Sequence, residues 1–276
     1  MNIHKATRKY EAWLGGQIPL IAQDVRRKHV LMRQAVFPFL RATFYRWCQL
    51  WPEVCPGSAR APAVLAVGDL HVENFGTWRD RDGRLVWGIN DLDEAAVMPY
   101  TLDLVRLAVS VQLAMEAGHL RIDASDACDS MLDGYRDALK AGGRPIVLGE
   151  HHHWLRELAV SESRDPLRFW QKMDRLPTIR RQVPRSAIKA IESLMPDTDV
   201  NYRVAHRIAG VGSLGRERYA GIADWRGGKI AREAKALATS AYAWAMGGKI
   251  KRKILYQDLL YDAVRCGDPF VRVRGR

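Results

Sequence analysis

The chain has 276 residues, of which 47% are hydrophobic, a length and composition that suit one large domain or two lobes. It contains no apolar run of about eighteen residues, so we expect no transmembrane helix and no membrane partner. Its first residues, MNIHKATRKYEAW, lack the apolar core of a secretory signal, and its four cysteines form no C-x-x-C pair. These features favour a reduced, cytoplasmic protein without a zinc site.

The net charge of +12 is distributed unevenly along the chain. Residues 201–276 hold 16 Lys and Arg against 6 Asp and Glu, whereas residues 1–200 hold 27 against 25. Such a basic block suits a polyanion, which would be nucleotide phosphates, nucleic acid or an acidic partner. A solvated surface without any partner explains the same charge, so composition leaves these alternatives open.

Residues 5–50 are predicted to be helical. Asp24 is placed to cap a segment whose apolar residues recur at three- and four-residue spacing, and Pro38 should interrupt that segment. The short apolar run 63–67 then predicts a buried strand that leads directly into Asp69.

Residues 67–95, VGDLHVENFGTWRDRDGRLVWGINDLDEA, concentrate acidic and amide side chains. The Asp82-Gly83 pair between two apolar runs predicts a β-hairpin. Four polar side chains flank this hairpin and are expected to converge on one point: Asp69 and Asn74 at its entry, Asp91 and Asp93 at its exit.

This convergence suits phosphoryl transfer. Mg²⁺ takes oxygen ligands and is usually held by one or two carboxylates together with substrate phosphates. A further Asp that binds no metal can orient a hydroxyl group and accept its proton. Asp-x-x-x-x-Asn followed by Asp on the next strand is the arrangement of kinase-like enzymes. The alternative is that Asp69 and Asn74 cap turns and that residues 91–94 solvate a loop.

Residues 99–108, PYTLDLVRLA, predict the start of a helix with Thr101 as its cap. Asp103 has two roles that the sequence does not separate. It either interacts with the dipole of this helix or braces the segment around Asp69 from behind.

The chain is predicted to divide into two domains. Helices continue through residues 120–198, and the break at residues 195–199 is followed by strands. We therefore expect a helical lobe that carries the hairpin over residues 1–198, and a small, basic, β-rich lobe over residues 199–276.

A GVGSLG segment lies between two predicted strands of the small lobe. GxGxxG opens a helix in dinucleotide-binding folds, but a strand follows here, as in the loop that kinases fold over ATP phosphates. Glycines let backbone N–H groups approach phosphates closely. The residues assigned to the nucleotide are Gly210, Gly212, Ser213 and Gly215. A flexible hairpin tip is the alternative.

Cations follow this loop on the third predicted strand. Arg232 stands where a phosphate-contacting lysine is expected, with Lys229 and Lys235 on either side of it. We assign Arg232 and Lys235 to the nucleotide and keep Lys229 as a further candidate. A helix is expected over residues 235–246.

Four segments, GDLHVENFG, INDLDEA, PYTLDLVRLA and GVGSLG, together resemble the bacterial family called domain of unknown function 2252. The GDLHxxN pattern followed by an acidic strand end is also similar to aminoglycoside phosphotransferases and other kinase-like phosphotransferases. The glycine loop follows Asp69 in the chain, whereas in ordinary kinases it comes first. The expected fold is therefore α+β, a two-lobe protein-kinase-like fold that is circularly permuted, with the helical lobe first.

The resemblance implies a phosphotransferase that uses ATP and Mg²⁺ on an unidentified hydroxyl acceptor, either a small molecule or a protein. Asp69 would be the catalytic base, Asn74 and Asp91 would bind Mg²⁺, and Asp93 would be a second acidic ligand. Val67 and Gly68 replace the His-Arg pair that precedes this Asp in protein kinases, so an inactive nucleotide-binding protein also fits.

Two functions of other classes fit parts of the sequence. A two-metal phosphohydrolase would add His71 to the same acidic residues, but no later Gly-Asn-His segment supplies its remaining ligands. A non-catalytic module would bind nucleic acid through residues 201–276. The aromatic residues there fit strand and helix cores better than a stacking platform, so we favour the phosphotransferase.

Overall fold

The computed structural model describes residues 1–118, 121–149, 152–160, 165–179, 183–248 and 253–275. Within those ranges the protein is a mixed α+β structure with three small antiparallel sheets. None of the described helices combines the length and the apolar character needed to span a bilayer.

The helices and strands of the described residues occur in successive groups along the chain. The helices are α1 (Ile3–Gly15), α2 (Ala22–Gln34), α3 (Val36–Ala42), α4 (Phe44–Val54), α5 (Tyr100–Glu116), α6 (Ala124–Lys140), α7 (His153–Ala159), α8 (Pro166–Asp174), α9 (Arg185–Glu192), α10 (Ala241–Ala245) and α11 (Tyr256–Asp262). The strands are β1 (Ala63–Ala66), β2 (Phe75–Arg79), β3 (Leu85–Ile89), β4 (Ala96–Pro99), β5 (Ile146–Val147), β6 (Arg203–His206), β7 (Arg218–Trp225) and β8 (Gly228–Lys235). The sheets have the strand orders β1-β4, β2-β3-β5 and β6-β7-β8.

The predicted hairpin is confirmed as the antiparallel pair β2 and β3, in register from Phe75 opposite Ile89 to Arg79 opposite Leu85. Its turn is closed by the carboxylate of Asp80, which accepts the backbone N–H groups of Asp82 and Arg84. At the other end of the hairpin, the backbone N–H of Asn90 donates to the carbonyl of Asn74 at 2.9 Å. This bond holds the entry and the exit of the hairpin side by side.

The three strands predicted for the C-terminal part are also confirmed, and the glycine segment lies in the loop between β6 and β7. The helix expected over residues 235–246 is shorter than predicted. Strand β8 pairs with β7 as far as Lys235, and α10 begins only after Ser240, whose hydroxyl accepts the N–H of Tyr242. The strand pairing therefore extends over a lysine that the local pattern assigns to a helix.

The N-terminal helices differ from prediction at their ends. Helix α2 begins before Asp24, so this residue lies in its first turn, where it is buried and bonded to the imidazole of His206. The break falls at Ala35, which is extended, and Pro38 lies in the first turn of α3. A first-turn proline is tolerated because the N–H it lacks has no intrahelical acceptor there.

The largest apolar cluster joins both ends of the chain. It contains Tyr10 of α1, Phe44 and Trp51 of α4, and Leu102 of α5, together with Tyr242 of α10. The cluster thus crosses the predicted boundary at residue 198. Since α10 packs directly on α4, the segment after β8 is anchored to the helical part.

Candidate functional site

One small cavity brings the acidic segment and the glycine loop together. Its volume is about 30 Å³, enough for about two water molecules. Several of its lining residues are the ones that the sequence assigned to a site: Asp69, Asn74, Asp91, Asp93, Gly212 and Ser213. They come from two stretches that lie far apart in the sequence, so their meeting is a property of the tertiary structure.

Asp69 is held by a buried arginine of α5. The Nε of Arg106 donates to Asp69 Oδ1 at 2.7 Å, and its Nη2 contacts the same oxygen and donates to the carbonyl of Leu40 at 2.8 Å. The guanidinium group lies 5.0 Å from the ring centroids of both Phe44 and Trp47. Because Arg106 is completely buried, this pair fixes the orientation of the Asp69 carboxylate.

The backbone before Asp69 is fixed by Asp103. Its two carboxylate oxygens accept the N–H groups of Val67 and Gly68, each at 2.8 Å. Of the two roles left open by the sequence, the structure shows the bracing contact. Burial raises the pKa of Asp103 to about 6, even though both N–H groups favour its ionised form.

Thr101 does not cap α5 as predicted. The helix begins one residue earlier, at Tyr100, and the hydroxyl of Thr101 donates to the carbonyl of Ser58 at 2.7 Å.

Gly68 has a conformation that only glycine adopts readily. Its φ is +94°, and a Cβ atom at this position would lie 2.4 Å from the carbonyl oxygen of Glu94. The chain that carries Asp69 therefore runs in direct contact with the acidic strand end.

Asn74 and His71 form one short turn. Asn74 Oδ1 accepts the backbone N–H of His71 at 2.6 Å, and the His71 carbonyl accepts the Asn74 N–H at 2.9 Å. His71 Nε2 accepts from the Nε of Arg41 at 3.2 Å. Burial lowers the pKa of His71 to about 4, outweighing the opposite effect of Asp69, so the imidazole is neutral at physiological pH.

Asp91 and Asp93 share a lysine from β8. The Lys235 ammonium lies 2.5 Å from Asp93 Oδ1 and 3.7 Å from Asp91 Oδ1. Burial alone would lower the pKa of Lys235, but the two carboxylates outweigh it and raise that pKa. Lys235 is thus a cation of this site, although its contacts are with carboxylates.

The structure does not bring Arg232 to the same place. Since successive side chains of a strand point to opposite faces, Arg232 and Lys235 lie on opposite sides of β8. Arg232 donates to the carbonyl of Leu194 at 2.6 Å and lies over the ring of Phe270. Lys229 is further out, in an ion pair with Asp174.

The glycine loop lies directly over the acidic residues. A Cβ on Gly212 would be 3.0 Å from the Arg41 carbonyl oxygen and 3.5 Å from Asp69 Oδ2. Gly210 and Gly215 have φ values of +73° and +100°.

Ser213, at the tip of this loop, bonds within the loop itself. Its hydroxyl accepts from Arg218 at 3.0 Å and lies 3.4 Å from the carbonyls of Ala209 and Gly210.

Arg216 ties this loop to the acidic strand end. Its guanidinium donates to Glu94 Oε1 at 2.9 Å and lies 3.4 Å from Asp93 Oδ2. The other oxygen of Glu94 accepts from the Ser240 hydroxyl and from the Ala241 N–H. Burial raises the pKa of Glu94, while Arg216 acts to lower it.

Sequence reasoning missed four of the cations at this site. Arg106 lies within the segment PYTLDLVRLA and Arg216 directly follows the last glycine of GVGSLG, so each had a motif beside it. Lys28 and Arg41 also line the cavity, yet they come from α2 and α3, where no motif marks them.

The oxygen atoms of the acidic and amide side chains at the site are of the kind that bind a hard cation such as Mg²⁺. Two carboxylates, Asp91 and Asp93, lie near the amide of Asn74, and Mg²⁺ is commonly held by one or two carboxylates plus substrate oxygens. Among the described residues no group of three or more His, Cys, Asp or Glu side chains could hold a metal ion. A metal here would thus depend on oxygen atoms of a substrate.

The chain was compared with known proteins. No curated protein and no solved structure matches it. The sequence profile of one family matches residues 20–165, which include Asp69, the hairpin and Arg106 but end before the glycine loop. This match covers more than half of the 276 residues. The chain therefore belongs to the family described as "Uncharacterized protein conserved in bacteria (DUF2252)".

Proposed function

We propose that the protein is a kinase-like phosphotransferase that uses ATP and Mg²⁺ to phosphorylate a hydroxyl group. One observation carries this proposal: the Asp69 segment, the strand end at Asp91 and Asp93, and the glycine loop line the same cavity. Phosphoryl transfer depends mainly on positioning and on stabilisation of phosphate charge, and these groups are of the required kinds.

Asp69 is the proposed base. Its Oδ1 is bound by Arg106, whereas its Oδ2 faces Gly212 across the cavity. A carboxylate with one oxygen fixed and the other directed at the site is suited to accept a proton from a bound hydroxyl group.

Asn74, Asp91 and Asp93 are the proposed ligands of Mg²⁺, which would offset phosphate charge when bound. Lys235 forms ion pairs with both Asp91 and Asp93 in the structure. A divalent ion on these carboxylates would compete with the ammonium group. Lys235 would then be free to contact phosphate oxygens.

The fold proposal is a permuted two-lobe kinase-like architecture, with residues 1–198 as the helical lobe and 199–276 as the small lobe. The antiparallel sheet β6-β7-β8, with a glycine loop at its first turn, supports it. The cavity of about 30 Å³ is far smaller than the roughly 300 Å³ at which ligand pockets begin. ATP binding therefore requires the loop around Gly212 to move away from Asp69.

The two other functions receive less support. The phosphohydrolase would need His71 as a metal ligand, but its Nε2 already accepts a hydrogen bond from Arg41. Nucleic-acid binding would need free cations in residues 201–276. Several of them are instead paired within the protein, in the ion pairs Arg207–Glu233, Arg216–Glu94, Arg218–Glu233, Lys229–Asp174 and Lys235–Asp93.

Nucleotide binding and turnover test the proposal. Thermal-shift titrations with ATP, GTP and ADP, each with Mg²⁺ or Mn²⁺, should show stabilisation by at least one nucleotide. Asp69→Asn should keep ATP binding and lose ATP turnover, whereas Asp91→Ala should lose the Mg²⁺-dependent part of binding. Asp82→Asn is the matched control, because Asp82 is 76% exposed at the hairpin turn.

Two results would contradict the proposal. One is nucleotide turnover that is unchanged in both the Asp69 and the Asp91 variants. The other is phosphate release from a generic ester with Mn²⁺ and no affinity for ATP, which would favour the phosphohydrolase. ATP binding without turnover in the wild type would identify an inactive nucleotide-binding protein.

A further inference from the structure

Helix α2 is fixed against the glycine loop at its N-terminal end. The N–H of Ile21 donates to the carbonyl of Gly215 at 2.8 Å, and a Cβ on Gly215 would lie 2.7 Å from a methyl group of Val25. Asp24 accepts a hydrogen bond from His206 of β6 at 2.8 Å. One further turn along α2, at Lys28, the side chain reaches the cavity.

Lys28 is buried, with 6% of its surface exposed, and its ammonium donates to the carbonyl oxygen of Gly212 at 2.9 Å. Within the described part of the chain it forms no ion pair with an acidic side chain. An ammonium group has three hydrogen-bond donors, so two of those of Lys28 have no partner among the described residues. A buried charge without a direct ion-pair partner is costly, which makes this position suited to an anion.

Each of the other cations named at the site forms an ion pair with an acidic side chain. Arg106 binds Asp69, Arg216 binds Glu94, and Lys235 binds Asp93. Arg41 contacts Glu73. Among the described residues that line the cavity, Lys28 is thus the cation that carries no acidic partner. Burial, and then the charge of Arg216, lower its pKa to about 8, and the nearby acidic groups Glu11, Glu94 and Asp69 offset this only in part.

This inference rests on the proposed function and deepens it. We propose that Lys28 binds the phosphate groups of the nucleoside triphosphate. The sequence assigned this role to cations of β8, but Arg232 lies on the other face of that strand, and Lys235 would reach phosphate only after a metal displaces it from Asp91 and Asp93. The bond from Lys28 to Gly212 would be exchanged for bonds to phosphate when the loop opens.

Affinity measurements on the full chain test the assignment. Isothermal titration with MgATP should show binding to the wild type that weakens by about 10- to 100-fold in Lys28→Met, the loss expected for a hydrogen bond between charged groups. Adenosine, which has no phosphate, should bind both proteins equally. Lys189→Met is the matched control, because Lys189 is an exposed lysine of α9, and it should leave both affinities unchanged.

A second measurement uses the unaltered protein, so it does not depend on the folding of a variant. In a protein labelled with ¹³C at the lysine ε carbons, we expect the signal of Lys28 to titrate with a midpoint near pH 8, well below that of exposed lysines. Saturating MgADP should move this midpoint upward, because a bound phosphate favours the charged ammonium.

These measurements distinguish failure of the Lys28 assignment from failure of the proposed function. A wild type that binds MgATP, together with an equally tight Lys28→Met variant or an unmoved Lys28 midpoint, overturns the Lys28 assignment and leaves the proposed function standing. A wild type that binds neither ATP, ADP nor GTP overturns the proposed function, and the assignment with it.

Discussion

Arg106 and Asp103 lie one turn apart on α5, and together they fix the position of Asp69. Arg106 donates to the Asp69 side chain at 2.7 Å, and Asp103 accepts the N–H groups of the two residues before it. Residues three apart on a helix share a face, so a single helical surface controls both the backbone and the side chain of the proposed base.

Removing Arg106 should destabilise the protein. Arg106→Met leaves the Asp69 carboxylate and the Leu40 carbonyl without their donor inside a buried region. Loss of one partner of a buried ion pair typically costs about 3–5 kcal/mol, and because the Asp69 side chain is 18% exposed we expect the lower end. Urea unfolding measures this change.

The double variant separates the pair from the packing of the arginine. Asp69→Asn combined with Arg106→Met should cost less than the sum of the single changes, because no charge is left unpaired. Strict additivity would show that the ion pair makes no contribution of its own.

Gly68 and Gly83 form a matched pair for testing how tightly the Asp69 segment is packed. Both have positive φ, +94° and +76°, but a Cβ at Gly68 meets the Glu94 carbonyl whereas one at Gly83 meets nothing within 4 Å. Gly83→Ala should cost about 1 kcal/mol from backbone conformation alone. Gly68→Ala adds a backbone clash and should cost at least about 3 kcal/mol or abolish cooperative unfolding. Equal costs in urea unfolding would contradict the described contact.

The hairpin and the glycine loop were predictable because their signals are local. Asp82-Gly83 between apolar runs specifies a tight turn, and glycines at positions 210 and 215 do adopt the positive φ that other residues avoid. Asp69, Asn74, Asp91 and Asp93 then follow from their positions around that hairpin.

The cations around these acids were not predictable in the same way. Whether Arg232 or Lys235 reaches the acidic residues depends on which face of β8 each occupies and on how far the strand continues. Strand β8 ends at Lys235 because Lys235 is the last of its residues to pair with β7, opposite Arg218. This pairing is a tertiary interaction that local sequence does not determine. Lys28 is a still clearer case. Its hydrogen-bond partner Gly212 is 184 residues away in the sequence, so no local pattern predicts this contact.

Asp103 should make the stability of the protein fall as the pH rises through weakly acidic values. Its pKa is about 6 in the folded protein and about 3.9 in an unfolded chain, so between these values the folded state holds the extra proton. Its contribution is therefore complete below about pH 4 and is lost as the pH rises through about 6.

The variant Asp103→Asn tests this linkage. It leaves one of the N–H groups of Val67 and Gly68 without an acceptor at every pH, a constant cost of about 1–3 kcal/mol. The stability advantage of the wild type over the variant should shrink between pH 4 and pH 7 in urea unfolding. An advantage that grows with pH would mean that the two N–H groups lower the pKa of Asp103 instead.

Lys28 should be a residue that the protein keeps at a cost to its stability. Because its pKa is lowered from 10.5 to about 8, the folded state disfavours the charged form, and the cost is fully present below about pH 8. The lowered pKa corresponds to a cost of about 3 kcal/mol, which Lys28→Met would remove. The variant would also lose the hydrogen bond to Gly212, which is worth about 1 kcal/mol. Lys28→Met should therefore raise the free energy of unfolding at pH 7 by about 2 kcal/mol.

The pH dependence distinguishes this effect from a simple gain in packing. The stability of the wild type should rise between pH 8 and 10.5 as Lys28 loses its proton without penalty, so the advantage of Lys28→Met should shrink over that window. Lys189→Met, at an exposed position, should stay within about 0.5 kcal/mol of the wild type throughout. A Lys28→Met variant that is less stable at pH 7 would show that the ammonium stabilises the fold. In that case its burial would need no phosphate ligand to account for it.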